Sequence, residues 1–228
     1  FGPNAAAAQI EASKVFSKNL MKKYHIPTAG YEVFSDPAQA LEYIKAQGTY
    51  PAVIKADGLA LGKGVVIAQN EAEAKAALHS IMEDKIFGES GAQVVVEEFL
   101  TGPEVSVLAF TDGKTLCPMV SSMDHKRAYD GDKGPNTGGM GTISPNPFYT
   151  EKVAKRCMEE IFQPTVEAMN AEGRPFKGCL YFGLMLTKGG PKVIEYNSRF
   201  GDPETQVVLP RLKTDFAQIV EAVAHERL

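Results

Sequence analysis

Glu195 and Asn197 stand two residues apart in the stretch Val193-Ile194-Glu195-Tyr196-Asn197-Ser198-Arg199-Phe200-Gly201-Asp202-Pro203-Glu204. Val193 and Ile194 are strand formers that follow a turn at Gly189-Gly190, so both polar side chains should leave one face of a β-strand. A carboxylate beside an amide oxygen makes a hard, all-oxygen half-site. Mg²⁺ accepts such a site when phosphate oxygens and water complete its shell. Arg199 adds a planar fork of donors for the same phosphate or for a carboxylate. The plainer alternative is a polar strand end in which Glu195 pairs with Arg199, with Asp202-Pro203 capping the next helix.

A second stretch, Lys55-Ala56-Asp57-Gly58-Leu59-Ala60-Leu61-Gly62-Lys63-Gly64-Val65, lets backbone N–H groups converge on an anion between two lysines. It is not a Walker A loop, because three residues separate Gly58 from Gly62 and Gly64 stands where Ser or Thr would hold the metal. It leads into a strand instead of a helix N-terminus, unlike a dinucleotide fingerprint. A plain β-hairpin is the competing reading. With glycines this dense and lysines that repel each other when empty, the loop should be mobile without ligand and ordered with it. Farther on, the backbone C=O of Glu98 and N–H of Leu100 could meet an adenine edge. Glu97 and Glu104 could take its amino group and the ribose hydroxyls.

Composition narrows the classes. The chain has 228 residues, 44% hydrophobic and 23% charged, with formal charge −4 and no basic block. That is an ordinary globular composition, and it argues against nucleic acid or an acidic membrane as the main partner. The three cysteines, Cys117, Cys157 and Cys179, are widely spaced and read as buried thiols in a reducing, cytoplasmic setting. No apolar run reaches membrane-spanning length. The first residues, Phe1-Gly2-Pro3-Asn4, resemble the middle of a loop, which suggests a piece of a longer protein.

The elements that must position these residues follow in order. Periodicity predicts an amphipathic helix over 11–24, with Lys14, Lys18 and Lys22 on its solvated side. A helix capped by Asp36 and closed by Gly48 comes next, then strands 52–55 and 65–68, a helix capped at Asn70, and a strand over 93–99. A strand pair, 104–111 and 116–121, turns at Asp112-Gly113. A polar, glycine-heavy loop occupies 124–147. One long helix runs from a Thr150 cap to about Asn170, kinked at Pro164. Strands 179–187 and 191–197 form a hairpin, and Thr214 caps a last helix. Strands and helices without strict alternation imply an α+β fold with antiparallel sheets.

Taken together, Lys55–Val65, Val96-Glu97-Glu98-Phe99-Leu100, Asp124-His125-Lys126-Arg127, Gly134–Gly141 and Glu195–Gln206 resemble the phosphoribosylamine–glycine ligase (glycinamide ribonucleotide synthetase) family of the ATP-grasp superfamily. The resemblance spans nearly the whole chain with its motifs in order. The glycine loop alone marks only the superfamily, whereas the last two motifs are specific to this ligase and its near relatives. It implies an ATP-grasp fold: a linker and first helix over 1–29, a small lid subdomain over 30–100, and a larger sheet subdomain with flanking helices over 101–228. Further N- and C-terminal domains would belong to the same chain in the full enzyme.

The resemblance also implies roles. Lys18 and Lys55 would contact the α- and β-phosphates, and the loop with Gly58, Gly62, Lys63 and Gly64 would close over the triphosphate. Glu97, Glu98 and Leu100 would hold adenine, Glu104 the ribose, and Glu195 and Asn197 the Mg²⁺ or Mn²⁺. Arg199, Asp124, Gly138, Gly139, Met140 and Gly141 would face the acyl phosphate and 5-phosphoribosylamine, with Arg199 and Lys63 acting in catalysis. The sequence departs from the pattern at Ser198, where many members carry Cys. It departs again near Gly183, where many superfamily enzymes place a further acidic metal ligand. The implied reaction is ATP-dependent ligation of glycine to 5-phosphoribosylamine through glycyl phosphate. The alternatives are another ATP-grasp carboxylate–amine ligase or an isolated ATP-binding module.

Overall fold

The structure, a computed structural model, describes residues 1–60, 64–131, 133–137 and 139–228. Gly62 and Lys63 of the glycine loop, and Gly138, lie outside the described residues. The chain forms two compact units, a smaller one of Glu11–Asn19 with Thr28–Leu100 and a larger one of Phe1–Ile10 and Leu20–Pro27 with Thr101–Leu228.

The single helix expected over 11–24 is two helices, α1 (Ala5–Ala12) and α2 (Lys14–Lys23), so residues 1–29 hold more than a linker and one helix. Asn4 accepts the Ala7 N–H and starts α1 in alanine-rich sequence that favours a helix intrinsically. The break falls at Ser13. Its hydroxyl accepts from Phe16 N–H, while the Asp57 carboxylate takes the Val15 N–H and the Ser13 hydroxyl proton. Capping from 42 residues away leaves no trace in local periodicity.

The smaller unit continues with β1 (Tyr31–Phe34), α3 (Pro37–Gln47), β2 (Ala52–Ala56), β3 (Val65–Ala68), α4 (Glu71–Leu78) and β4 (Val94–Glu98). Its sheet has the order β1-β4-β2-β3, antiparallel at every pairing. Asp36 accepts from the Ala38 and Gln39 N–H groups to open α3, and Gly48, at φ 62°, closes it. Alternation along the strands sorts two faces. Ala52, Ile54, Ala56, Val94 and Val96 pack with Ala40, Ile44, Ala74 and Leu78 of the helices. The opposite face carries Val53, Lys55, Val95 and Glu97, which are also buried.

The larger unit contains β5 (Glu104–Thr111), β6 (Leu116–Pro118), β7 (Met123–Asp124), β8 (Arg127–Tyr129), β9 (Lys133–Asn136) and β10 (Thr142–Ile143). It continues with α5 (Glu151–Cys157), α6 (Gln163–Ala171), β11 (Gly178–Thr187), β12 (Gly190–Asn197), α7 (Glu204–Val208) and α8 (Phe216–Ala224). Its main sheet runs β12-β11-β5-β6, again antiparallel, in keeping with the α+β reading. Phe182 packs on Phe162 at a 4.4 Å ring separation and on Tyr196 at 5.6 Å, which fixes one face of β11 and β12 as core.

Several expectations need correction. The 124–147 segment is not a plain loop, because β7 pairs with β10 and β8 with β9 as short antiparallel ribbons. The long helix contains a wide π-turn, Met158–Phe162, just before Pro164. Pro164 has no N–H for the carbonyl four residues back, and the wider turn absorbs the mismatch. Thr165 then returns its hydroxyl to Ile161 O at 2.6 Å. The last helix is capped by Asp215 instead of Thr214, through Ala217 and Gln218 N–H. Asp202 does not cap α7; its carboxylate accepts from the Gln206 side chain at 2.6 Å. Cys117 is exposed, whereas burial pushes the Cys157 and Cys179 thiols up to about 11 and about 12. Among the described residues no helix is long and apolar enough to cross a membrane.

Candidate functional site

In the smaller unit, Glu97 lies near the end of the central strand β4, opposite Tyr31 of β1 and Val53 of β2. Lys55 is two residues beyond Val53 and so shares Glu97's face. Lys55 Nζ is 3.0 Å from Glu97 Oε1, although that oxygen makes no hydrogen bond of acceptable angle. Lys18 Nζ, from α2, is 3.1 Å from Oε2 of the same carboxylate. It donates to the Thr28 hydroxyl at 2.8 Å and lies 5.4 Å from the Tyr31 ring centroid. Lys18, Lys55 and Glu97 are 1%, 5% and 6% exposed. Charges buried to this degree persist only when paired. The solvated row expected of α2 is therefore corrected. Lys18 is buried and Lys14 donates to Gly58 O at 2.9 Å, leaving Lys22 exposed.

The glycine loop is pinned at both described ends. Ala56 N–H donates to Gly64 O at 2.9 Å, and Gly58 N–H donates to Ser90 O at 3.2 Å. A Cβ at Gly58 would collide with the Ser90 side chain, and one at Gly64 would meet Ala60 Cβ at 2.6 Å. Close packing thus explains both glycines, and the Gly58 N–H is already engaged. Past the loop, Glu98 exchanges two bonds with Gly30: its N–H donates at 2.8 Å and its carboxylate accepts at 3.2 Å. Leu100 follows β4, half-buried.

In the larger unit, Glu195 and Asn197 share a face of β12, while Tyr196 points the other way and bonds Thr165 at 3.0 Å. Glu195 pairs with Gly183 and Asn197 with Tyr181 across to β11. A Cβ at Gly183 would approach Glu195 Cγ to 3.0 Å and the Tyr181 ring to 3.4 Å. The carboxylate's stem and the ring therefore fill the place of the further acidic side chain that many superfamily enzymes carry. Arg199 donates to Asn197 Oδ1 at 3.3 Å and to Phe200 O at 3.1 Å.

Asp124 sits on β7, where it accepts from the Thr142 hydroxyl at 3.4 Å. Burial and then the neighbouring Glu204 carboxylate hold its pKa above the usual carboxylate value, against the pull of Lys126. Burial opposes the charge on Lys126, but Glu104, Glu195 and Asp124 outweigh it and raise its pKa. Lys126 Nζ is 3.5 Å from the exposed Glu104 carboxylate. Gly139, at φ 125°, allows its loop to pack on Pro203 and Asp124, because a Cβ there would stand 2.7 Å from Pro203 Cδ and 3.0 Å from Asp124 Oδ1. The Gly139 N–H goes to the Thr137 hydroxyl, and the Met140 N–H to His125 O, with the Met140 side chain exposed. Gly141 O accepts from the His125 N–H.

Two arrangements were not legible beforehand. One is the sharing of Glu97 by two lysines. The other is a buried hydroxyl–carboxylate knot in which Glu204 Oε1 accepts from Tyr181 at 3.1 Å and Ser106 at 3.3 Å. Both join residues distant in sequence.

Phosphoribosylamine–glycine ligase of Halalkalibacterium halodurans is 55% identical over 98% of this chain and 52% of that protein. The corresponding Listeria monocytogenes ligase is 54% identical over 99% of this chain and 53% of that protein. The chain thus spans about half the length of the curated relatives it matches. The crystal structure of phosphoribosylamine–glycine ligase from Thermotoga maritima superposes with TM-score 0.86 at 39% identity, covering 99% of this chain and 57% of that one. D-alanyl-alanine synthetase A of Vibrio cholerae, at 18% identity and TM-score 0.74 over 100% of this chain and 67% of its own, shares the fold. A family model matches residues 12–205, and the chain belongs to that family, the phosphoribosylglycinamide synthetase ATP-grasp (A) domain.

Proposed function

We propose that this chain binds Mg²⁺–ATP and, joined to flanking domains, ligates glycine to 5-phosphoribosylamine, giving glycinamide ribonucleotide, ADP and phosphate. The observation that carries this reading is the 55% identity, over 98% of the chain, to a curated phosphoribosylamine–glycine ligase. Lys18 and Lys55 take the α- and β-phosphates, and the loop with Gly58, Gly62, Lys63 and Gly64 covers the triphosphate. The strand end Glu97-Glu98-Leu100 takes adenine through its main chain, and Glu104 takes the ribose. Support comes from two buried lysines converging on Glu97, with Lys55 at the start of the glycine-loop stretch of sequence.

Glu195 and Asn197 would hold Mg²⁺ or Mn²⁺. The chemistry fits, since a carboxylate and an amide oxygen share one face of β12, and the Arg199 fork that donates to Asn197 Oδ1 at 3.3 Å would have to turn away from that oxygen. Phosphate oxygens and water must then complete the shell, as suits Mg²⁺. Such an ion supplies charge neutralisation on the moving phosphoryl group. Arg199 orients the carboxylate that receives this group, and Asp124 with the 138–141 loop orients the amine. The γ-phosphoryl group passes from ATP to a glycine carboxylate oxygen, giving glycyl phosphate and ADP. The amine nitrogen then attacks the acyl carbon, the C–O bond to phosphate breaks, and the nitrogen loses a proton. Positioning and electrostatics suffice, with no protein nucleophile.

Phosphate release from ATP tests the reading, measured on the chain alone and on the full-length protein. Release that needs glycine and phosphoribosylamine together is expected of the full-length protein. Release with a different carboxylate and amine would point to another ligase of the same superfamily. The half-length match favours one further reading, a nucleotide-binding module inactive by itself. ATP binding without release by the isolated chain is its mark.

A further inference from the structure

The Glu97 carboxylate sits where an adenine contact is expected, yet both of its oxygens face lysines. Lys18 Nζ is 3.1 Å from Oε2 and Lys55 Nζ 3.0 Å from Oε1. The three side chains come from a helix and two adjacent strands, and none exceeds 6% exposure. Two ammonium groups that meet one carboxylate in a buried site repel each other and would diverge without it. The carboxylate between them opposes that divergence. Lys18 is steadied from a second side by Thr28 at 2.8 Å and by the Tyr31 ring at 5.4 Å. Tyr31 stands opposite Glu97 on β1, and Lys55 lies two residues from Glu97's partner Val53 on β2.

We propose that Glu97 is a positioning residue for the phosphate-binding lysines and does not read adenine with its side chain. The proposal rests on the nucleotide-site reading above and deepens it. The sign of the expected effect distinguishes it from plain electrostatics. If Glu97 merely lay near the phosphates, removing its negative charge would strengthen anion binding. If it holds the lysines in place, removing it weakens anion binding, because the ammonium groups lose their shared geometry. An adenine-reading role would show in the nucleoside instead.

The test uses the whole 228-residue chain and three probes, Mg²⁺–ATP, inorganic tripolyphosphate and adenosine, by calorimetric titration. Glu97→Gln should weaken tripolyphosphate about tenfold or more, the scale of one hydrogen bond to a charged group, and leave adenosine within about twofold. Glu97→Asp keeps the charge and the charge balance of the fold while withdrawing the carboxylate by one methylene. It should show the same pattern, and it serves if Glu97→Gln fails to fold. Unchanged or tighter tripolyphosphate binding in either folded variant overturns the proposal, as does a selective loss of adenosine. A wild-type chain that binds no ATP overturns the nucleotide-site reading along with it. Wild-type ATP binding with an unaffected variant overturns the Glu97 assignment alone.

Discussion

The two units hold the residues of their candidate sites in opposite ways. In the smaller unit, Lys18, Lys55 and Glu97 are almost wholly buried, each within salt-bridge distance of another, on the sheet face opposite the helix-packed core. In the larger unit, Glu195, Asn197, Arg199 and Asp124 are half-buried or exposed, and Lys126 and Glu104 are 40% and 50% exposed. The difference teaches where geometry is fixed before ligand arrives. A buried ion cluster is rigid because any member left alone carries an uncompensated charge. A half-solvated set can lose a member to water cheaply, so its ordering can wait for a metal or a substrate.

The largest effect should come from breaking the buried cluster. Glu97→Ala leaves two buried ammonium groups together and should destabilise the smaller unit by about 3–5 kcal/mol, the usual range for a broken buried pair. Calorimetry would register this as a Tm lower by roughly 10 °C, given about 2–4 °C per kcal/mol at this chain length. A fall of less than about 2 °C would remove the contrast between the units.

Nucleotide protection comes next. ATP at about a hundred times its Kd should stabilise the chain by about 2.7 kcal/mol through binding only the folded state. GTP at equal concentration should protect less if the strand end Glu98–Leu100 discriminates the base. Equal protection by ATP and GTP would mean that the lysines and triphosphate account for all the recognition.

A smaller, purely functional effect is expected at the half-buried site. Glu195→Ala should leave Tm within about 1–2 °C, because its strand end is partly solvated. It should also abolish the gain in ATP affinity that Mg²⁺ gives the wild type, taken as about tenfold. Retention of that gain would take Glu195 out of the metal's shell. A large drop in Tm would show that Glu195 is structural, as its stem packed at Gly183 would then suggest.

The same contrast explains what the sequence made legible. Where information is local it could be read: the Asp36 and Asn70 caps, the Gly48 stop, the Asp112-Gly113 turn and the period-two placing of Glu195 and Asn197. What escaped depends on partners far along the chain. Ser13 breaks a helix because Asp57 reaches it, and Lys18 is buried because Glu97 meets it. At Gly58 and Gly64 Ser90 and Ala60 come too close for a Cβ, a constraint that local sequence does not display. Cap choice between Thr214 and Asp215 turned on a single residue of register, within the usual uncertainty of a helix end.

The smallest effect sharpens the comparison on the larger unit's side, through the pH dependence of Asp124. Burial and the Glu204 carboxylate raise its pKa above 3.8, so the folded state binds this proton more tightly than the unfolded chain. A raised folded pKa gives stability that is fully present below the unfolded value and is lost as pH rises through the folded one. At neutral pH the ionised Asp124 is therefore a liability, and Asp124→Asn should raise Tm by about 1 °C, the modest scale proper to a partly solvated group. The gain should shrink as pH falls through the raised pKa and vanish below about 4, where the wild-type carboxyl is neutral as well. Tm measured for both proteins across that range reads the difference directly, since every other titrating group is common to the pair. A variant less stable than wild type at neutral pH would reverse the sign. The contacts of Asp124 with Lys126, the His125 N–H and Thr142 would then outweigh its desolvation and its repulsion from Glu204, making this half-exposed site as firmly paired as the buried one.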